Sequence, residues 1–196
     1  GLFKAWVAFG LLPLAVLLLL GRVAAVWRLP VEFGDLHRRL ALTAELPWLA
    51  LAGLGGGLLG TAIRLALLRW RGQEVMLGDS RRLRPQGQSE RGHAAALALT
   101  AGITEELFFR LLLPLLCAML FGAAWFGFVA ATLLFAWAHR YQGWTGVAAS
   151  GAAGALAAWL YLASGQLWLA IAAHVLIDLN GLLLAPALAR RFGRRD

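Results

Sequence analysis

Ionisable residues interrupt the apolar stretches of this chain, where a charged side chain is costly. Placing such a side chain at the centre of a bilayer costs about 2.5–3.5 kcal/mol on insertion scales, so these groups usually pair with one another or serve a function. A carboxylate beside a histidine can hold a water molecule and accept its proton as a general base. A second histidine with a polar neighbour can donate hydrogen bonds to a developing oxyanion. Together these residue types favour hydrolysis of an amide without a covalent intermediate. The residues are Glu105, Glu106, Arg110, His139, His174 and Asp178.

Helical spacing relates these residues to one another. Glu106 and Arg110 are four residues apart and therefore share a helix face, as do His174 and Asp178. Glu105 lies about 100° around the helix from Glu106. One carboxylate can therefore pair with the arginine while the other points elsewhere. A purely structural interpretation stays open for each group: an interhelical ion pair, an interfacial histidine or a polar link between helices.

The elements that position these residues are predicted to be membrane-spanning helices. Hydrophobic residues make up 61% of the 196 residues and charged residues 14%, whereas a soluble domain carries about 25% charged residues. The mean hydropathy is +0.72. Long apolar runs with polar links between them predict an all-α fold, a polytopic transmembrane bundle of about six spans. The expected spans are 3–24, 47–68, 94–120, 122–139, 146–163 and 167–186.

The basic residues predict the orientation of this bundle. In the six-span arrangement, twelve lysines and arginines fall on the side that holds both termini, and four fall on the other side. Such a bias marks the cytoplasmic side. We therefore expect a multi-pass protein of the cell inner (plasma) membrane with both termini in the cytoplasm. Because the arginines bracket apolar spans instead of lining one folded surface, we expect no nucleic-acid partner.

The chain divides into three expected parts. Residues 1–93 hold two transmembrane helices and a basic cytoplasmic loop, residues 94–188 the catalytic transmembrane core, and residues 189–196 a basic tail. The glycine-rich run Gly53–Gly57 would allow close helix packing.

Other candidate groups have simpler interpretations. Cys117 is the only cysteine and lies in an apolar run, so we expect an inert buried thiol. His37 and His93 fall in expected loops and are interpreted as solvated. No serine stands beside a histidine at a useful spacing, and the G-x-S-x-G elbow is absent from the sequence.

Three short motifs carry a family resemblance. "EELFFR" at Glu105–Arg110 is an E-E-x-x-x-R motif, "FAWAH" at Phe135–His139 is an F-x-x-x-H motif, and "HVLID" at His174–Asp178 resembles H-x-x-x-N/D. Their order and their placement on apolar spans are similar to the CPBP group of CAAX prenyl endopeptidases and bacteriocin-processing enzymes. The resemblance covers about residues 94–186.

The resemblance implies an intramembrane endopeptidase that cuts a membrane-proximal or lipidated peptide. It implies that Glu105 and His139 activate the water and that the Glu106–Arg110 pair supports them. His174 and Asp178 would then occupy the positions that stabilise the oxyanion. The best-understood members have asparagine at the last position, and an aspartate donates a hydrogen bond only when protonated. Alternatively Asp178 orients His174, or Asn180 contributes.

Several alternatives accompany this hypothesis. We expect no cofactor, but zinc is the alternative because two histidines and several carboxylates can ligate it. The expected partners are the lipid bilayer and a peptide or protein substrate that enters from the membrane or the cytoplasm. A non-catalytic scaffold of the same fold, such as an immunity or regulatory protein, is a competing function. A proton-coupled transporter is a third, although no inverted repeat is present.

Overall fold

A computed structural model describes residues 7–41, 45–71 and 88–187. Within these ranges every regular element is a helix. The α-helices, in chain order, are α1 (Val7–Leu19, opening on a π-helical turn at Val7–Leu11), α2 (Gly34–Leu40), α3 (Leu46–Trp70), α4 (Gln88–Glu106), α5 (Leu113–Phe121), α6 (Ala124–Ala138), α7 (Gly143–Ser164) and α8 (Leu167–Leu179).

The apolar helices confirm a helical membrane bundle. Three helical stretches of the described chain are long and apolar enough to cross a membrane: Leu46–Arg64, Ala124–Ser164 and Leu167–Ala187. The middle stretch contains both α6 and α7, which a 3₁₀ turn at His139–Gln142 separates. Helix α1 is also apolar but is shorter than these three stretches.

Helices α4 and α5 lie on either side of Arg110 and form one continuous helical segment. A π-helical turn, Leu107–Leu112, joins α4 to α5. Pro114 stands in the first turn of α5 and has no backbone N–H to donate to the carbonyl four residues earlier. A local wide turn next to such a gap is a common response of the backbone, and π turns of this kind often lie at functional sites. Helix α5 ends at Gly122, whose φ of +66° suits glycine.

Helices α4 to α8 form most of the core of the bundle, and Leu17 of α1 and Phe33 are buried in it as well. Helix α4 packs against α8, α5 against α6, and α7 against both α6 and α8. Two glycines allow the closest approaches: a Cβ at Gly102 would lie 2.5 Å from Val175 Cγ2, and one at Gly127 would lie 2.7 Å from Pro114 Cα. These contacts bring the polar ends of α4, α6 and α8 together. Cys117 is buried, as expected.

The structure corrects several expectations drawn from the sequence. The third apolar helix begins at Gln88 and not at residue 94, so His93 lies on α4 instead of in a loop, although its side chain is exposed. His37 is not solvated in a loop: it lies on α2, and its Nδ1 is 2.6 Å from the carbonyl oxygen of Leu162. The polarity of residues 27–46 predicts a loop between the first two membrane spans. In the structure α2 packs on α7, and part of this segment is buried.

The expected close packing at the glycine-rich run is also wrong within the described chain. A Cβ built at Gly53, Gly55, Gly56 or Gly57 would have no neighbouring atom within 4 Å. Helix α3 contacts the rest of the bundle weakly, and Gly55 borders a cavity between α3 and α8 instead of a packed surface. The expected basic tail, residues 189–196, and residues 72–87 of the basic loop lie outside the described residues.

Candidate functional site

Glu106 is the buried centre of the polar cluster. Its side chain is fully buried at the end of α4. One carboxylate oxygen, Oε2, is 3.2 Å from Arg110 Nε, and the other, Oε1, is 2.7 Å from His174 Nδ1. Because a carboxylate accepts hydrogen bonds, the His174 N–H donates to Glu106. Glu106 therefore joins the arginine of the π turn to the histidine of α8.

His174 is surrounded by carboxylates on three sides. Its Nε2, on the side opposite Glu106, lies 3.9 Å from Glu105 Oε2 and 3.7 Å from Asp178 Oδ2. Both separations exceed hydrogen-bond length, so these are electrostatic contacts. Glu105 keeps 25% of its side-chain surface exposed and Asp178 keeps 31%. The two carboxylates therefore lie at the accessible edge of the cluster, whereas Glu106 lies inside it.

His139 is the first residue of the 3₁₀ turn after α6. Its Nδ1 lies 2.8 Å from the carbonyl oxygen of Phe135. A carbonyl only accepts, so Nδ1 carries the proton and Nε2 of the neutral ring is an acceptor. The Phe135 ring packs against both histidines, with centroids 4.7 Å from His139 and 5.6 Å from His174. The phenylalanine of the F-x-x-x-H motif thus separates and orients the two imidazoles.

Arg110 is almost completely buried, with 1% of its side chain exposed. Its guanidinium carbon lies 4.4 Å from the centroid of the Phe135 ring, a cation–π distance. A Cβ at Gly154 of α7 would lie only 2.9 Å from Arg110 Nη2. None of the three guanidinium nitrogens has a hydrogen-bond partner among the described residues. The contact with Glu106 is therefore close in distance but is not aligned as a hydrogen bond.

A single cavity of about 170 Å³ gathers most of the predicted residues on its wall. Glu105 is not part of this wall, and it contacts the cluster through His174. Sequence reasoning missed two polar wall residues, because neither belongs to a motif and both lie in segments with no other unusual feature. The predicted residues on the wall are Glu106, Arg110, His139, His174 and Asp178, and the missed ones are Gln142 and Ser150.

Asn180 lies in a different place. It begins a π-helical turn, Asn180–Leu184, after α8. It lines a second, largely apolar cavity of about 420 Å³ and is not on the wall of the first. The alternative in which Asn180 contributes to the oxyanion site therefore finds no geometric support.

Zinc is the alternative cofactor expected from the sequence. Among residues 7–41, 45–71 and 88–187, no group of three or more histidine, cysteine, aspartate or glutamate side chains is placed to hold a metal ion. The Nδ1 atom of His174 is already bonded to Glu106.

Comparison with known proteins gives a family match for part of the chain. Residues 88–180 match the family model described as type II CAAX prenyl endopeptidase Rce1-like. The matched segment contains all six residues singled out from the sequence. The match agrees with the resemblance of this segment to the CPBP group. Neither the curated proteins nor the solved structures contain a match to the chain.

Proposed function

We propose that this protein is an intramembrane endopeptidase that hydrolyses a peptide bond of a membrane-proximal or lipidated substrate. The match of residues 88–180 to the Rce1-like family model supports a CAAX-type protease. The observation that carries the proposal is the cavity between apolar helices, because two histidines, two carboxylates and an arginine share its wall. Ionisable side chains between membrane-spanning helices are energetically costly unless they pair with one another or serve a function.

Water activation is assigned to Glu105 and His139. Each offers an acceptor: the accessible carboxylate of Glu105, and Nε2 of His139, whose Nδ1 is fixed by the Phe135 carbonyl. A water held between them loses a proton to one of them as its oxygen attacks the carbonyl carbon of the substrate. The same group returns that proton to the leaving nitrogen when the C–N bond breaks. No covalent enzyme intermediate is needed.

Glu106 is assigned a positioning role. It is fully buried and holds His174 through a 2.7 Å hydrogen bond while its other oxygen faces Arg110. A buried carboxylate that accepts a short hydrogen bond from an imidazole fixes the orientation of that ring. We assign the substrate carbonyl to the part of the cavity wall that His174 and Asp178 form.

The membrane arrangement is also part of the proposal. We assign a multi-pass topology in the cell inner membrane with both termini in the cytoplasm, and the substrate enters from the membrane or the cytoplasmic side. Support comes from the charge bias of the sequence and from exposed tryptophans near helix ends, as in interfacial belts. They are Trp48, Trp70, Trp144 and Trp168. We propose that the enzyme needs no cofactor.

A peptide-library digest tests the proposed function. The purified protein in detergent is incubated with membrane-proximal peptides, with and without a lipidated cysteine, and the products are identified by mass spectrometry. The wild type is expected to cut selected bonds, and Glu105→Gln to lose at least about 100-fold in rate, as for a missing general base. Glu45→Gln, an exposed glutamate before α3, is the matched control.

The outcomes separate the competing functions. Equal cleavage by the wild type and Glu105→Gln would assign the activity to a contaminant. Absence of cleavage from both peptide classes would favour a non-catalytic scaffold of the same fold.

A further inference from the structure

Stabilising an oxyanion requires hydrogen-bond donors, and most polar groups on the cavity wall have none to spare. The Asp178 carboxylate only accepts. The Nδ1–H of His174 is bonded to Glu106, and that of His139 is bonded to the Phe135 carbonyl. The Nε2 of His174 faces carboxylates on two sides. The residues expected from the family pattern therefore supply few free donors in this chain.

Gln142 and Ser150 are two other residues of the cavity wall that can donate hydrogen bonds. Gln142 Nε2 donates to the hydroxyl of Tyr141 at 2.9 Å. Ser150 has a hydroxyl, which is a neutral donor. Arg110, by contrast, is charged, and none of its nitrogens has a hydrogen-bond partner among the described residues. Among the described wall residues, Arg110 is thus the charged donor with unused N–H groups.

Burial makes these unused N–H groups significant. A charged group in a protein interior is costly unless hydrogen bonds satisfy it. The guanidinium of Arg110 is 1% exposed and has only a poorly aligned carboxylate and the face of Phe135 beside it. Donors left incomplete in the resting site can be completed when negative charge develops there, which is the preorganised arrangement of an oxyanion hole.

We propose that the Arg110 guanidinium, and not Asp178, supplies the charged hydrogen bonds to the oxyanion formed during peptide hydrolysis. The inference rests on the proposed function. When water adds to the carbonyl carbon, the carbonyl oxygen becomes an alkoxide that accepts from Arg110. Arg110 transfers no proton, and the alkoxide returns to a carbonyl as the C–N bond breaks. Asp178 then acts as an acceptor that orients His174.

Gly154 provides a way to move the guanidinium without removing its charge. A methyl group at this position would lie 2.9 Å from Arg110 Nη2 and 3.2 Å from Phe135 Cδ1. The arginine end must shift, because the methyl group is fixed to the backbone of α7. Gly151→Ala on the same helix is the matched control, since its Cβ would lie 3.5 Å from Ala136 Cβ, an ordinary contact.

The kinetic test compares Gly154→Ala with Gly151→Ala in the peptide-cleavage assay. We expect Gly154→Ala to lower kcat at least about 10-fold while KM stays within about 2-fold, the pattern of an interaction made only in the transition state. Gly151→Ala should match the wild type. A tetrahedral peptide phosphonate, built on the cleaved sequence, should bind Gly154→Ala more weakly, whereas the matched peptide substrate should not.

A second pair of variants excludes a merely structural role. Glu106→Gln keeps an oxygen that accepts from His174 and removes the charge that Arg110 balances. Adding Arg110→Met in that background should then reduce kcat by a further factor of about 10²–10³, as for loss of an oxyanion donor. If Arg110 served only as the counter-ion of Glu106, the added substitution would change kcat little.

Each result points to a distinct conclusion. Wild-type cleavage with equal rates in Gly154→Ala and Gly151→Ala, and no added loss from Arg110→Met, overturns the inference but leaves the proposed function standing. A rate loss in Ser150→Ala without one in the Arg110 variants also overturns it and assigns the donor to Ser150. Absence of any wild-type cleavage overturns the proposed function itself.

Discussion

The buried Glu106–Arg110 pair predicts a specific pattern of stability changes. Arg110→Met keeps an unbranched apolar stem against Phe135 but removes the cation next to Glu106. The Glu106 carboxylate is fully buried, so its charge then keeps only His174 as a partner. Removing one member of a buried ion pair costs about 3–5 kcal/mol, because the other charge stays buried. We expect Arg110→Met to lower the free energy of unfolding by about this amount.

Neutralising the stranded partner should reverse most of that loss. In Glu106→Gln/Arg110→Met no uncompensated charge remains, and the amide oxygen still accepts from His174 Nδ1. Replacement of a whole buried pair by neutral groups is often close to neutral in stability. The double variant should therefore be more stable than Arg110→Met alone. The coupling energy of the double-mutant cycle should exceed about 1 kcal/mol, within the range for residues in contact.

Denaturant unfolding in mild detergent, followed by circular dichroism, measures these changes. Arg38→Met is the matched control, because Arg38 also pairs with a carboxylate, that of Asp35, but the two side chains keep 73% and 78% of their surface exposed. Pairs of that kind contribute at most about 1 kcal/mol. The reasoning is refuted if the two substitutions at Glu106 and Arg110 are additive within about 0.5 kcal/mol. It is also refuted if Arg110→Met lowers the free energy of unfolding no more than Arg38→Met does.

Two further predictions follow from the packing and the topology. Gly127→Ala should destabilise the protein by about 1–3 kcal/mol, because the added Cβ would lie 2.7 Å from the backbone of Pro114. Gly56→Ala should be neutral or stabilising, because its Cβ would have no atom within 4 Å. Thermal unfolding of both variants in detergent tests this, and equal melting temperatures would contradict it. In a cysteine-free background, Arg71→Cys should react with impermeant maleimide only from the cytoplasmic side and Glu45→Cys only from the opposite side. Labelling of both from one side would contradict the proposed orientation.

The sequence predicts the helical membrane class because that class depends on long apolar runs, which are visible in one chain. It also predicts local pairs: the four-residue spacing of Glu106 and Arg110 indicates a shared face, and the structure has them 3.2 Å apart. The link between Glu106 and His174 is different. These residues are 68 positions apart, and only the packing of α4 on α8 brings them together. No spacing rule in the sequence predicts that contact.

Other features escaped prediction because they depend on tertiary context. The contact of His37 with the Leu162 carbonyl requires α2 to fold back onto α7, although α2 lies in a polar segment that resembles a link. The unused hydrogen-bond donors of Arg110 could not be predicted either, because they depend on the angle between the guanidinium and Glu106. The motif indicated a pair but gave no information on how well the pair is aligned.

The central claim is that Glu105 activates water for peptide hydrolysis without a metal. The most direct test measures the cleavage rate of one defined membrane-proximal peptide by the wild type, Glu105→Gln and Glu45→Gln, each with and without a metal chelator. The account predicts cleavage by the wild type and Glu45→Gln in both conditions and a loss of at least about 100-fold in Glu105→Gln. Loss of wild-type cleavage on chelation, or equal rates in wild type and Glu105→Gln, would contradict it.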